Sequence, residues 1–206
     1  LVDGKKTGRG KYLYLNGNVY DGEWSNNQKN GNGKYYFKSK DETYSGNFIN
    51  GERSGQGSYF YRYGDKFIGG WEKGIRRGRG IMEYASGARY DGLWENDLPN
   101  GKGVMYFPGG DRYDGEWMNG KKEGFGVYYF RDGGRYEGAW TNDEKSGQGI
   151  LYFVNGEKYD GEWRDGVKSG NGLYFYSNGD RYQGEFKNDK RAGSGILYMS
   201  NGDRYE

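Results

Sequence analysis

The sequence predicts an all-β protein, an elongated single-layer antiparallel sheet built from stacked 23-residue β-hairpin repeats. Three observations carry that expectation. An aromatic-x-Gly-x-aromatic unit recurs along the whole chain, a G-x-G signature follows each unit at a fixed distance, and no segment shows the spacing of an amphipathic helix.

The first element of each period is an outgoing strand. It reads YDGEW (Tyr20 to Trp24), YSGNF (Tyr44 to Phe48), FIGGW (Phe67 to Trp71), YDGLW (Tyr90 to Trp94), YDGEW (Tyr113 to Trp117), YEGAW (Tyr136 to Trp140), YDGEW (Tyr159 to Trp163) and YQGEF (Tyr182 to Phe186). The spacing is 24 residues once and 23 thereafter, the extra residue falling in the Lys38–Thr43 turn, and all six Trp occupy one slot. Strand side chains alternate, so both aromatics and the central Gly share a face.

A first turn follows, formed by pairs such as Asn50-Gly51, Asn96-Asp97, Asn142-Asp143 and Asp165-Gly166, residues that accept positive φ in hairpins. Seven residues after the second aromatic comes G-x-G, from Gly8/Gly10 to Gly193/Gly195. The return strand is expected to start there and to end in an aromatic run such as KYYF, VYYF or LYFY. A second turn closes the period with a Gly three residues before the next leading aromatic, except where Asp41 stands in, a residue that tolerates left-handed backbone. Pro99 and Pro108 are expected in turns.

Placing residues in these slots changes the meaning of the composition. Leu, Ile, Val and Phe number 30 of 206 residues, and the mean hydropathy is −1.19, both values reminiscent of disorder. The formal charge is only +2, however, from 31 basic and 29 acidic residues. Of the 42 Gly, 39 fall in four repeat slots. Without a Cβ, backbone can be covered directly by a Tyr or Trp ring, so rings stacked along the array supply the core. Tyr20, Trp24, Trp71, Trp94, Trp117, Trp140 and Trp163 are the expected aromatic core. One hairpin buries no face alone, so hairpins pair edge to edge. Eight repeats of two strands make a rod or trough about 75–80 Å long.

Cys and His are both absent, which removes disulfide scaffolds, thiolate and imidazole metal sites and every nucleophile–His arrangement. No cofactor, metal or catalytic residue is therefore expected, and the chain reads as non-enzymatic. No apolar run approaches the roughly 18–20 residues of a membrane-spanning helix. With no signal segment either, the expected location is cytoplasmic, associated with the cytoskeleton or peripheral to a membrane. The array is continuous over 1–206: a partial repeat at 1–19, eight full repeats at 20–204, and the start of a ninth at 205–206. Beginning and ending within a repeat is the pattern expected of a segment from a longer protein.

The combination of Y-x-G-x-W, G-x-G and a turn Gly at a 23-residue period resembles the MORN repeat (membrane occupation and recognition nexus) over essentially the whole chain. The resemblance implies a single-sheet β-rod that serves as a scaffold. Such repeats occur in protist cytoskeletal and division-ring proteins, in ciliary radial-spoke heads, in junctophilins that bridge membranes, and as appendages on phosphatidylinositol-phosphate kinases and a lysine methyltransferase. No kinase or methyltransferase segment is present. Departures are Phe48 and Phe186 for Trp, Phe67 for Tyr, and Asp41 for the turn Gly.

Paired acids, Asp21/Glu23, Asp114/Glu116 and Asp160/Glu162, superficially resemble glycosidase carboxylates. The slot recurs and follows a base two residues earlier, as in Arg112-Tyr113-Asp114, so cross-strand charge ladders are the better reading. G-x-G is read as close backbone packing, since no helix follows it to cradle a phosphate. Basic residues cluster in the first loop at Lys5, Lys6, Lys29, Arg53, Arg76, Arg77, Lys121, Lys122, Lys145, Lys168, Lys190 and Arg191. A stripe of these from Lys29 to Arg191 is a candidate contact for anionic lipid headgroups. Glu52, Glu123 and Glu144 dilute its field. The charge balance excludes nucleic acid as a partner.

One asymmetry runs along the array. The first and third residues after G-x-G face away from the glycines and read Lys11/Leu13, Lys34/Tyr36, Ser58/Phe60 and Ile81/Glu83 at first. From about residue 100 they read Val104/Tyr106, Val127/Tyr129, Ile150/Tyr152, Leu173/Phe175 and Ile196/Tyr198. A contiguous apolar strip marks a binding surface, whereas long charged neighbours lying over it would leave it merely covered. These ten residues are the candidate interface, with a homodimer the expected assembly and cytoskeletal or membrane-associated proteins the expected partners.

Overall fold

The computed structural model describes residues 3–206. The chain divides between Gly101 and Lys102 into two compact units. The first contains β1 (Gly8–Leu13), β2 (Val19–Ser25), β3 (Gln28–Phe37), β4 (Glu42–Ile49), β5 (Glu52–Phe60), β6 (Lys66–Glu72), β7 (Ile75–Glu83) and β8 (Arg89–Glu95). β9 (Leu98–Tyr106) contains the boundary. The second unit contains β10 (Arg112–Met118), β11 (Lys121–Tyr129), β12 (Arg135–Thr141), β13 (Glu144–Tyr152), β14 (Lys158–Arg164), β15 (Val167–Phe175), β16 (Arg181–Lys187), β17 (Lys190–Tyr198) and β18 (Arg204–Tyr205).

Within each unit every strand pairs antiparallel with its neighbours in sequence, β1 to β8 in the first and β10 to β18 in the second. Each unit is a single-layer sheet of hairpins, and among the described residues there is no helix. The first turns have positive φ at both central residues, for example 50° at Asn142 and 74° at Asp143, the signature of type I′ hairpins whose twist matches the strands they join. Asp41 adopts φ 57° in the turn that lacks Gly.

The return strands begin earlier than the sequence suggests. β13 starts at Glu144, three residues before Gly147, and the same offset recurs at Lys121 and Val167. The two-residue turn closes at once, and the first Gly of G-x-G makes a bulge inside the strand. The register shows this: Gly138 pairs with Gly149, yet the next residue, Ala139, pairs with Ser146.

The two glycines of G-x-G serve different ends. Gly147 has φ +56°, which accommodates the bulge. Gly149 has ordinary φ but lies directly beneath the Tyr136 ring, where an added Cβ would sit well inside contact distance of the phenol.

The core is a column of rings on the glycine face. Tyr20, Trp24, Trp71, Trp94, Trp117, Trp140 and Trp163 are all buried, Tyr20 completely. In the second unit, ring centroids alternate at 5.3 Å for Tyr113–Trp140, 5.3 Å for Tyr136–Trp140, 5.1 Å for Tyr136–Trp163 and 5.3 Å for Tyr159–Trp163, every pair edge to face. Their polar tips are satisfied by backbone. The Tyr136 hydroxyl donates to the Ala139 carbonyl at 3.0 Å, and the Trp163 indole N–H donates to the Gly149 carbonyl at 3.0 Å. This arrangement explains how a chain so poor in aliphatics folds.

Candidate interaction surfaces

The inner, aromatic face carries a cation in nearly every repeat. Lys29, Arg53, Arg76, Lys122, Lys145, Lys168 and Arg191 lie on return strands, directly across from Trp24, Phe48, Trp71, Trp117, Trp140, Trp163 and Phe186. They are strand residues, not the loop residues expected from sequence, because each return strand starts immediately after its turn. Their head groups stack on rings of the following repeat: Arg53 at 4.3 Å from Trp71, Arg76 at 4.5 Å from Trp94, Lys122 at 4.6 Å from Trp140 and Lys145 at 4.4 Å from Trp163. Lys29 sits 4.3 Å from Tyr35, Lys168 5.1 Å from Tyr174 and Arg191 5.3 Å from Tyr182. Burial pulls Lys29, Lys122, Lys145 and Lys168 below the usual lysine range.

The other three candidate lipid contacts are placed differently. Arg77 makes an ion pair with Glu72 at 2.7 Å, Lys121 reaches the Asn142 side chain at 3.4 Å, and Lys190 is exposed. The ten basic residues thus divide between ring-stacked inner positions and exposed ones, so no single stripe along the turns contains them.

Carboxylates flank the far side of the same face. The Tyr128 hydroxyl donates to Asp111 at 2.7 Å and the Tyr174 hydroxyl to Glu157 at 2.6 Å. Burial raises both phenols, reinforced by these bonds, and the Tyr174 hydroxyl holds Glu157 below the usual carboxylate range. Sequence reasoning missed both the stacked cations and these pairs. The signal for the first was present, a basic residue five positions after the second aromatic, interrupted only by Pro99.

The outer face of the second unit brings the ten candidate interface residues onto one side. Val104, Val127, Tyr129, Ile150, Tyr152, Leu173, Phe175, Ile196 and Tyr198 are all partly exposed, and Tyr106 is 41% exposed. Two rows cross the strands. In one, acids alternate with aliphatics: Asp114, Val127, Glu137, Ile150, Asp160 and Leu173. In the other, bases alternate with rings: Arg112, Tyr129, Arg135, Tyr152, Lys158, Phe175, Arg181 and Tyr198. The bases lie over those rings at 4.1 Å for Arg112–Tyr129, 3.8 Å for Arg135–Tyr152, 4.3 Å for Lys158–Phe175 and 4.5 Å for Arg181–Tyr198. The strip is therefore partly covered by its charged neighbours.

This corrects the expected cross-strand charge ladders. In the second unit opposite charges pair along a strand, Arg135 with Glu137 at 2.5 Å and Lys158 with Asp160 at 3.9 Å, because the facing positions are taken by rings and aliphatics. A cross-strand ladder survives in the first unit, where Lys11 faces Asp21 and Asp21 faces Lys34. The second acid of each pair serves the bulge. Glu23 accepts from the Asn32 N–H at 3.1 Å and Glu162 from the Asn171 N–H at 2.9 Å, each across the bulge where the register shifts.

The MORN repeat family model matches the sequence in nine segments, 1–19, 20–42, 44–66, 67–89, 90–112, 113–135, 136–158, 159–181 and 182–204. The chain is a MORN-repeat protein. Its family membership fits a non-enzymatic, protein-interaction scaffold. No curated protein matches the MORN array in sequence. Among solved structures, the TCP10 domain of Danio rerio CPAP is 12% identical, with 100% of this chain and 89% of that chain covered and a TM-score of 0.50. The SAS-4 (dCPAP) TCP domain of Drosophila melanogaster, solved with a proline-rich motif of Ana2 (dSTIL), is 16% identical, covering 73% of this chain and 82% of that one with a TM-score of 0.47. At such identity the likeness of the MORN array to the zebrafish domain is one of fold. Among the described residues no helix is long and apolar enough to cross a membrane.

Proposed function

We propose that this MORN array is a structural scaffold that self-associates through the outer face of its second unit and so spaces cytoskeletal or membrane-associated partners. The observation that carries the reading is the placement of Val127, Ile150, Leu173 and Ile196 in one partly exposed row, in a chain where aliphatics are scarce. In the first unit the same slot holds Lys11, Lys34 and Ser58 and turns aliphatic only at Ile81, the last repeat before the second unit. Propensity alone does not explain the difference, because both units build the same hairpins on the same aromatic core. Removing that row from water in a shared interface supplies the missing reason. The ring-stacked position of seven of the ten candidate basic residues weighs against anionic lipid as the main ligand.

The test replaces Val127→Asp together with Ile150→Asp and measures mass in solution by light scattering. The reading predicts a dimer for the unmodified chain and a monomer for the double variant, with unchanged far-UV circular dichroism. A double variant that stays dimeric and folded would remove this face from the assembly.

A further inference from the structure

The inner face of the second unit is independent of the outer face and carries its own pattern. Lys122, Lys145 and Lys168 recur once per repeat, the first two over the buried Trp140 and Trp163 rings and the third beside the partly exposed Tyr174, and among the described residues none of the three is held in an ion pair. Asp143 acts on Lys122, Asp189 on Lys145 and Lys168, and Glu157 on Lys168, but none closes an ion pair, so each lysine is a partly desolvated positive charge that an incoming acid at contact distance relieves.

Beside them stand two aromatic clusters of like geometry. Tyr128 sits between Phe107 and Phe130, with centroids at 5.8 and 4.9 Å, and Tyr174 sits between Phe153 and Tyr176 at 5.8 and 4.7 Å. All these rings are only partly buried. Leu151 occupies the equivalent slot between the clusters.

The spacing selects the shape of a partner. Tyr128 and Tyr174 lie four strands apart, about 19 Å at the usual interstrand distance, and successive lysines lie about 9.6 Å apart. A polyproline II segment rises about 9.3 Å per three-residue turn and about 18.6 Å in six residues. An α-helix rises about 10.5 Å per heptad and falls out of step by about 1 Å per repeat.

We propose that the inner face of residues 102–206 docks a proline-rich segment of a partner protein in the polyproline II conformation, with an acidic residue at every third position facing Lys122, Lys145 and Lys168. Aromatic-lined grooves suit such segments because their backbone is already ordered before binding. The proposal stands apart from self-association, which uses the opposite face.

Isothermal titration of the full chain with the synthetic peptide (Pro-Pro-Glu)6 tests it, alongside (Pro-Pro-Lys)6 and a helical peptide with leucines in heptads and the same number of glutamates. The acidic proline peptide is expected to bind, more tightly at low salt, and at least about tenfold better than either control. Lys145→Gln with Lys168→Gln is expected to weaken that binding at least about tenfold, and Lys121→Gln to leave it within about twofold. Absence of binding by (Pro-Pro-Glu)6 at about 1 mM, equal binding of the lysine peptide, or tighter binding of the helical peptide overturns the proposal. A folded double variant that binds normally does so too. If circular dichroism shows that variant unfolded, the peptide comparison on the unmodified chain decides.

Discussion

The guanidinium of Arg135 lies 3.8 Å from the centroid of the Tyr152 ring while its Nε bonds Glu137 at 2.5 Å, so one side chain joins a cross-strand stack to a pair along its own strand. The same unit repeats with Lys158, Phe175 and Asp160. On the outer face of the second unit, charge is thus organised within strands and ring contact between them. These bases stay partly exposed while their stems and planes cover part of each ring.

A double-mutant cycle on Arg135→Ala and Tyr152→Leu should return a coupling of about 0.5–1 kcal/mol from denaturant unfolding. A cycle on Arg135→Ala and Glu137→Gln should return a smaller value that shrinks further in high salt, because that pair is only part-buried and still reached by solvent ions. Equal, salt-sensitive couplings in both cycles would show the stack to be incidental.

The two glycines of one G-x-G should respond in opposite ways to substitution. Gly147→Asn keeps a residue that tolerates positive φ and should cost at most about 1 kcal/mol. Gly149→Ala drives a Cβ into the Tyr136 ring and should cost about 1–3 kcal/mol or more, since that ring is fully buried in the core. Thermal melts of the two variants give the order directly, and a reversed order would mean that ring coverage is not what the second glycine serves.

Much of this was legible in the sequence because a repeat reports its own slots. Tyr20, Trp24 and the positions that match them announce a buried face by parity, and Asn142-Asp143 announces a type I′ turn by its chemistry. The position of Lys145 was not legible. It follows a turn and precedes a Gly, so it reads as loop until the bulge at Gly147 is known, and only then does it fall opposite Trp140. The bases of the outer face failed for a related reason. Lys158 and Asp160 are two apart in sequence, but which residues face them depends on a register set by the bulge, and that register puts Phe175 and Leu173 there.

Alkaline pH should unfold the array through its tyrosines. Burial pushes Tyr20 and Tyr44 up to about 12 and raises Tyr113, Tyr136 and Tyr159 as well. A phenol near 10 in the unfolded chain ionises first, so the unfolded state sheds protons as pH climbs from 10 toward 12. The stabilisation is complete below pH 10 and is lost across that window. Core phenolate absorbance should rise together with loss of circular dichroism. Full ionisation near pH 10.5 with the sheet intact would contradict this account of the core.

Sedimentation equilibrium of the unmodified chain tests the scaffold reading most directly, because it asks whether the outer face of the second unit is buried in solution. The reading predicts the mass of a dimer, twice 23.6 kDa, at micromolar concentration. A single species at the monomer mass throughout the micromolar range would contradict it and leave Val127, Ile150, Leu173 and Ile196 as an exposed strip with no partner in this chain.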